Sequence, residues 1–203
     1  VDAVETTAAA ARWGATQRAE GWSSGMSILS ALRNVLPDLD AEDRQRALTQ
    51  GASHIADDCA GKAPRRPLDP LEGSRRDAQG LTTWFRETVE VRDAAGAERV
   101  LATLVRDHGA AAAFRAVALA ATDHRYTDGG HTLDFAVKCA ELADGLGDAH
   151  RDTAALLFTS LVPQLVQMSR MEETSAWRRP VDVAALVETA YASLPDDLAD
   201  RGR

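Results

Sequence analysis

Three side chains able to do chemistry recur at a spacing of seven in DHRYTDGGHTLDFAVKC, residues 123–139: His124, His131 and Lys138. Seven residues is about two helical turns, so such positions can share one helix face. Imidazole is the commonest metal ligand, and its second ring nitrogen usually needs a carboxylate or carbonyl partner. Asp123, Asp128 and Asp134 are near enough in sequence to supply one. His150 and His54 are further candidate ligands, His54 standing four residues before Asp58. Glu172 and Glu173 can orient a histidine from behind.

The same spacing has a plainer account. Asp134, Lys138 and Glu141 stand at i, i+4 and i+7, ordinary ion-pair spacing on a solvated face, with His131 a mere first-turn residue. Against it, Phe135, Leu142 and Val137 flank the stripe, so the helix is apolar most of the way round, as interior helices are. An inward stripe of His, Lys and Asp must then be paired or coordinating, because unpaired buried charge is costly. The residues alone leave both accounts open. None of the spacings is the HExxH or paired ExxH pattern, and no P-loop, GxGxxG or GxSxG motif occurs.

The elements that must position these groups are helices. Ala-rich segments with apolar residues every three or four positions dominate, and β-branched alternation is almost absent. The pattern predicts one all-α domain of eight or nine helices, over 2–20, 24–35, 40–61, 79–92, 95–107, 109–124, 131–146, 148–168 and 181–194. Asp40 is the expected N-cap of the third helix and Gly61 its stop. Residues 62–78 are rich in Pro and Arg and read as an irregular connector. The Gly129-Gly130 pair reads as the hinge between a helix closed by His124 and one opened by His131. Arg65-Arg66-Pro67-Leu68-Asp69 is echoed by Arg178-Arg179-Pro180-Val181-Asp182. That echo suggests a degenerate duplication, or a chance repeat, marking two equivalent helix-capping loops.

Composition bounds the function. A chain of 203 residues that is 45% hydrophobic folds without disulfides. Its net charge of −8 argues against nucleic-acid binding, which needs basic stripes to release counterions. Cys59 and Cys139 lie far apart inside helical segments, which fits buried, reduced thiols and a cytoplasmic setting. No apolar run approaches the roughly 20 residues of a membrane span. The sequence opens on Val, so a trimmed piece of a longer chain is one expectation.

Together, ATDHRYTDGGHTLDFAVKCAELADGLG, HRDTAALLFTSLVPQLV, SRMEETSAWRRPVDVAAL and DDCAGKAPRRPLDPL resemble the helical domain of actinobacterial proteins that also carry a Rieske iron–sulfur domain. The resemblance spans about residues 40 to 190 and is densest in GHTLDF…K at 130–138. More distantly the chain is similar to the questin-oxidase-like ring-cleaving oxygenases, in which histidines and, in at least one member, a carboxylated lysine hold a non-haem iron. The resemblance implies ferrous iron held by His131, His150, His124 and His54. Lys138 would be a carboxylated ligand or a substrate-facing ammonium. Carboxylation needs a neutral amine, which burial favours. Asp134, Asp128, Asp58, Glu172 and Glu173 would support the ligands. Two positions depart from the pattern: Gln50 where a histidine is expected, and Arg179 where relatives read WRHP.

The implied function is a non-haem iron oxygenase acting with dioxygen on an aromatic or polyketide-like small molecule. A Rieske-type electron-transfer partner would lie outside this chain, since two isolated cysteines cannot supply such a cluster. The alternative is a non-catalytic helical ligand-binding or dimerisation module, with a homodimer as its simplest assembly. A structural zinc at the same histidines is a third reading.

Overall fold

Five aspartates set where helices begin. Asp2, Asp40, Asp77, Asp93 and Asp182 each turn a carboxylate back onto first-turn N–H groups, at 2.7 Å for Asp77 to Gly80 and 2.9 Å for Asp182 to Ala185. Each such cap satisfies donors that the helix cannot, an effect of about 1 kcal/mol. The computed structural model describes residues 2–195, 197 and 198, and among them every regular element is helical. The helices are α1 (Ala3–Thr16), α2 (Ser24–Val35), α3 (Ala41–Cys59), α4 (Ala78–Glu90), α5 (Ala94–Thr122), α6 (His131–Leu146), α7 (Arg151–Thr159), α8 (Val162–Gln167), α9 (Ser175–Arg178) and α10 (Val183–Ala192). No helix among the described residues is long and apolar enough to cross a membrane.

The expected all-α fold is therefore what the chain adopts, and several boundaries hold closely. One long segment differs. The helix expected over 148–168 is split into a 3-10 turn (Asp148–His150), α7 and α8. Pro163 sits in the first turn of α8, where its missing N–H and its ring prevent a helix from running through. The break expected near residue 109 is present inside α5, where Gly109 takes φ 83 and ψ 176. That left-handed region is one a glycine enters without a Cβ clash.

α5 runs through the centre and packs on α4, α6, α7 and α8. Its first half buries Ala97, Val100, Leu101 and Leu104, its second half Ala113, Ala116, Val117 and Ala120, all at most 1% exposed. Small residues in the second half let α6 approach through Ala136, Cys139, Leu142 and Ala143. α1, α2 and α3 form the flanking layer, α1 reaching α7 and α2 reaching α6.

The connector after α3 has no regular structure, as expected, yet it is strapped down. Leu68 N–H donates to Glu98 Oε1 at 3.0 Å and Leu71 N–H to Thr103 Oγ1 at 2.9 Å, so α5 side chains satisfy its backbone. Arg65, 8% exposed, anchors it. Its guanidinium donates to Ala15 O of α1 (2.8 Å), to Glu98 of α5 (2.6 Å), and to Leu156 O and Thr159 Oγ1 of α7 (both 3.1 Å). The echoed Arg178 is surface-exposed and, among the described residues, donates to Glu172 O and Asp182. The two copies are therefore not equivalent capping loops: Asp182 caps α10, whereas no helix starts after Asp69.

Replacing Arg65 by Ala strands the Glu98 carboxylate and two carbonyls in the interior. The expected loss is about 3–5 kcal/mol of unfolding free energy, read from urea denaturation, whereas Arg66→Ala on the exposed side of the same turn should cost under about 0.5 kcal/mol.

Candidate functional site

Where the sequence pattern concentrated its chemistry, the structure builds a polar clasp. α5 ends at Thr122, and the chain turns through Tyr126, Asp128, Gly129 and Gly130, all at positive φ, before His131 opens α6. His124 lies in that turn. Its Nδ1 is 2.7 Å from Glu172 Oε1, and its Nε2 is 2.7 Å from Glu90 Oε2. Both ring nitrogens are thus within hydrogen-bond distance of a carboxylate, one on each side of the ring. Glu90 comes from the end of α4 and Glu172 from the 3-10 turn Met171–Glu173. Arg170, 7% exposed, completes the set by donating to Glu90 and Glu173. The other oxygen of Glu172 accepts the Arg125 backbone N–H at 3.0 Å.

The clasp continues outward. The Arg125 guanidinium donates to Glu188 Oε1 at 3.0 Å and lies 4.5 Å above the Tyr191 ring, both on α10. Asp128 ties the turn to the 169 segment by accepting from Ser169 N–H and Oγ–H, both at 2.8 Å. Glu172 was expected to orient a histidine from behind, and it does contact His124. Glu90 gave no such sign, being far away in sequence with no motif around it.

The other predicted ligands go elsewhere. His131 is exposed and packs on Phe135, ring centroids 5.9 Å apart. Lys138 donates to Glu141 at 2.9 Å, and Asn34 donates to that same carboxylate oxygen at 2.7 Å. His150 Nε2 is 3.4 Å from Glu5. His54 is half-buried on α3, and Asp58 accepts Gly25 N–H at 2.7 Å, at the start of α2. Asp134 is exposed, and Glu173 pairs with Arg170.

The inward reading of the His131–Lys138 stripe is thereby corrected. The buried face of α6 is Thr132, Ala136, Cys139, Leu142, Ala143 and Leu146, while the apolar flank of Leu133 and Val137 is exposed. The solvated ion-pair account describes Lys138. Among the described residues, no three His, Cys, Asp or Glu side chains are grouped as a metal ion would require. His124, His131, His150 and Lys138 each face a separate neighbour and so do not converge as a shared iron would require.

A cleft of about 580 Å³ beside the stretch is lined by Asp128, Phe135, Trp22, Ser24 and Gln164. A groove of about 810 Å³ lies between α1 and α3. None of the five predicted ligands lines either. Both thiols are free and buried, and burial pushes the Cys139 thiol well up, which leaves it unsuited to nucleophilic work. No family model matches the sequence, and no curated protein or solved structure matches it either.

The clasp has a pH signature. The hydrogen bond from His124 holds the Glu90 carboxyl below its usual range. At Glu172, burial acts upward but is outweighed by hydrogen bonds from its own backbone, His124 and Arg125 N–H, so this carboxyl is also lowered. A carboxylate with a depressed folded pKa stabilises the fold above its unfolded value, about 4.3 for glutamate, and loses that contribution as pH falls through the folded value. Glu172→Gln should therefore lower the thermal midpoint at pH 7, and the gap to the parent should close as pH falls below about 4, as followed by circular dichroism melts.

Proposed function

We propose that this chain is a non-catalytic helical interaction module that presents α10 to a partner. One observation carries the reading. α10 is apolar along one side yet lies open: Val183 is 37%, Leu186 61% and Leu194 46% exposed, and within the helix only Ala184 is buried. A helix stripe with residues at i, i+3, i+4, i+7 and i+11 (Val183, Leu186, Val187, Ala190, Leu194) is the pattern that packs on something. The Arg125 bridge to Glu188 and the buried Ala184 attach α10 to the body, Val187 is half-buried, and Val183, Leu186 and Leu194 stay exposed. Singly exposed apolar residues are unremarkable, but a contiguous stripe marks an interaction site.

The iron-oxygenase reading is a second proposal and rests on the GHTLDF…K resemblance. The separate partners of His124, His131, His150 and Lys138 lend it no support. The measurement that separates the two is ferrous iron loading under anaerobic conditions. The module reading expects no stoichiometric iron and no effect of His131→Ala, whereas one iron per chain that disappears in His131→Ala reinstates the oxygenase.

α10 itself is tested with an anilinonaphthalene sulfonate dye at low protein concentration. Leu186→Asp combined with Leu194→Asp should remove most of the bound-dye fluorescence while shifting the melting midpoint by less than about 2 °C, because neither side chain belongs to the core. Undiminished dye binding in that variant would place the exposed apolar surface elsewhere and end the reading.

A further inference from the structure

We propose that the cleft between the connector, α5 and α7 binds a small zwitterion, a free amino acid with an apolar side chain. This site is separate from α10 and does not depend on what α10 meets. The cleft encloses about 420 Å³, towards the low end of the range of small-molecule sites. Pro67, Leu68 and Pro70 form one wall. The floor is apolar, with Val105 of α5 and Ala155 and Leu156 of α7.

The wall is fixed before any ligand arrives. Leu68 and Leu71 N–H groups are bound to Glu98 and Thr103, Arg99 donates to Asp69 O at 3.3 Å, and Arg106 donates to Leu71 O at 3.2 Å. The two prolines hold their own φ. A preformed apolar cleft keeps the ordering cost of binding low.

The lining carries charge of both signs. Arg12, Arg106 and Arg151 supply cations, and Asp69 and Asp152 supply carboxylates. Arg106 is committed to Asp107 through hydrogen bonds of 2.6 and 2.8 Å. Arg12 donates to Thr153 Oγ1 at 2.8 Å and keeps its other donors, while Arg151 comes no nearer than 3.6 Å to Asp148. Among the described residues, no donor reaches the carboxylate of Asp69 or of Asp152. The two larger clefts offer no such set: Arg44 is turned onto Leu36 O and Pro37 O, and Arg18 onto Gly21 O and Trp22 O. A guanidinium pairs with a carboxylate in bidentate fashion, and an ammonium pairs with an aspartate. A ligand of one sign leaves half of these charges unanswered. A zwitterion answers both and lays its side chain on the floor of Val105 and Leu156.

The test is a titration of the whole chain with L-phenylalanine, read from amide correlation spectra by NMR. Saturable shifts are expected in the connector and in α5 and α7 around Val105 and Ala155, with a dissociation constant on the order of 1 mM for so small a ligand. Hydrocinnamate, which lacks the ammonium, and phenethylamine, which lacks the carboxylate, should each bind about tenfold more weakly. Arg12→Gln with Arg151→Gln should bring L-phenylalanine level with phenethylamine, and Asp69→Asn with Asp152→Asn should bring it level with hydrocinnamate. All four side chains belong to exposed residues, so both double variants should melt with the parent. The proposal is overturned by the absence of saturable shifts at the cleft up to about 20 mM L-phenylalanine, by either analogue binding as tightly as the amino acid, or by double variants that leave both gaps unchanged.

Discussion

A guanidinium inside a protein must place its donors on acceptors that stay where they are, because each unmet donor carries a desolvation penalty. Arg65 does this by joining the end of α1, the first half of α5 and the end of α7 through a single side chain. The carbonyls it uses, Ala15 O and Leu156 O, lie near helix C-termini, where acceptors are in surplus. The connector of residues 62–77 can then cross the bundle without regular structure, since Glu98 and Thr103 take up its backbone donors. Relative positions of three helices follow from where that one charge is satisfied.

The same logic of satisfied charge explains the polar stretch around residues 123–139. His124 holds the ends of α4 and α5 and the 3-10 turn at Glu172 together, with Arg170 neutralising part of the acidic surplus. Both of its ring nitrogens face carboxylates and neither faces another of the predicted ligands. His124, one of the residues that look most reactive in isolation, joins three elements of the fold. Its coupling to α10 through Arg125 makes the clasp the footing on which the exposed helix stands.

The fold was largely legible because it rests on local rules. Asp40 as N-cap, Gly61 just past the end of α3, the break at Gly109 and the start of α6 at His131 all follow from capping and glycine conformations that act within a turn. The division of residues 148–168 was missed because continuous apolar periodicity masked Pro163. The candidate site was legible only in part. Glu172 was placed near a histidine on chemical type, but nothing local distinguishes Glu90 from any other glutamate at a helix end. The burial of Arg65 and the exposure of Arg178 are likewise invisible in two near-identical pentapeptides.

Periodicity, capping residues and breakers, acting over a few residues, determined by themselves that this chain is helical and nearly where each helix starts and stops. Only the tertiary structure decided which face of each helix turns inward. On α6 the apolar arc is wide enough to be buried in more than one rotation, and contact with α5 selected Ala136, Cys139 and Leu142 over the flank of His131 and Lys138. On α10, among the described residues, Val183, Leu186 and Leu194 of a similar apolar stripe stay exposed. A helix wheel records which residues share a side, but the side that meets a partner depends on surfaces far away in sequence.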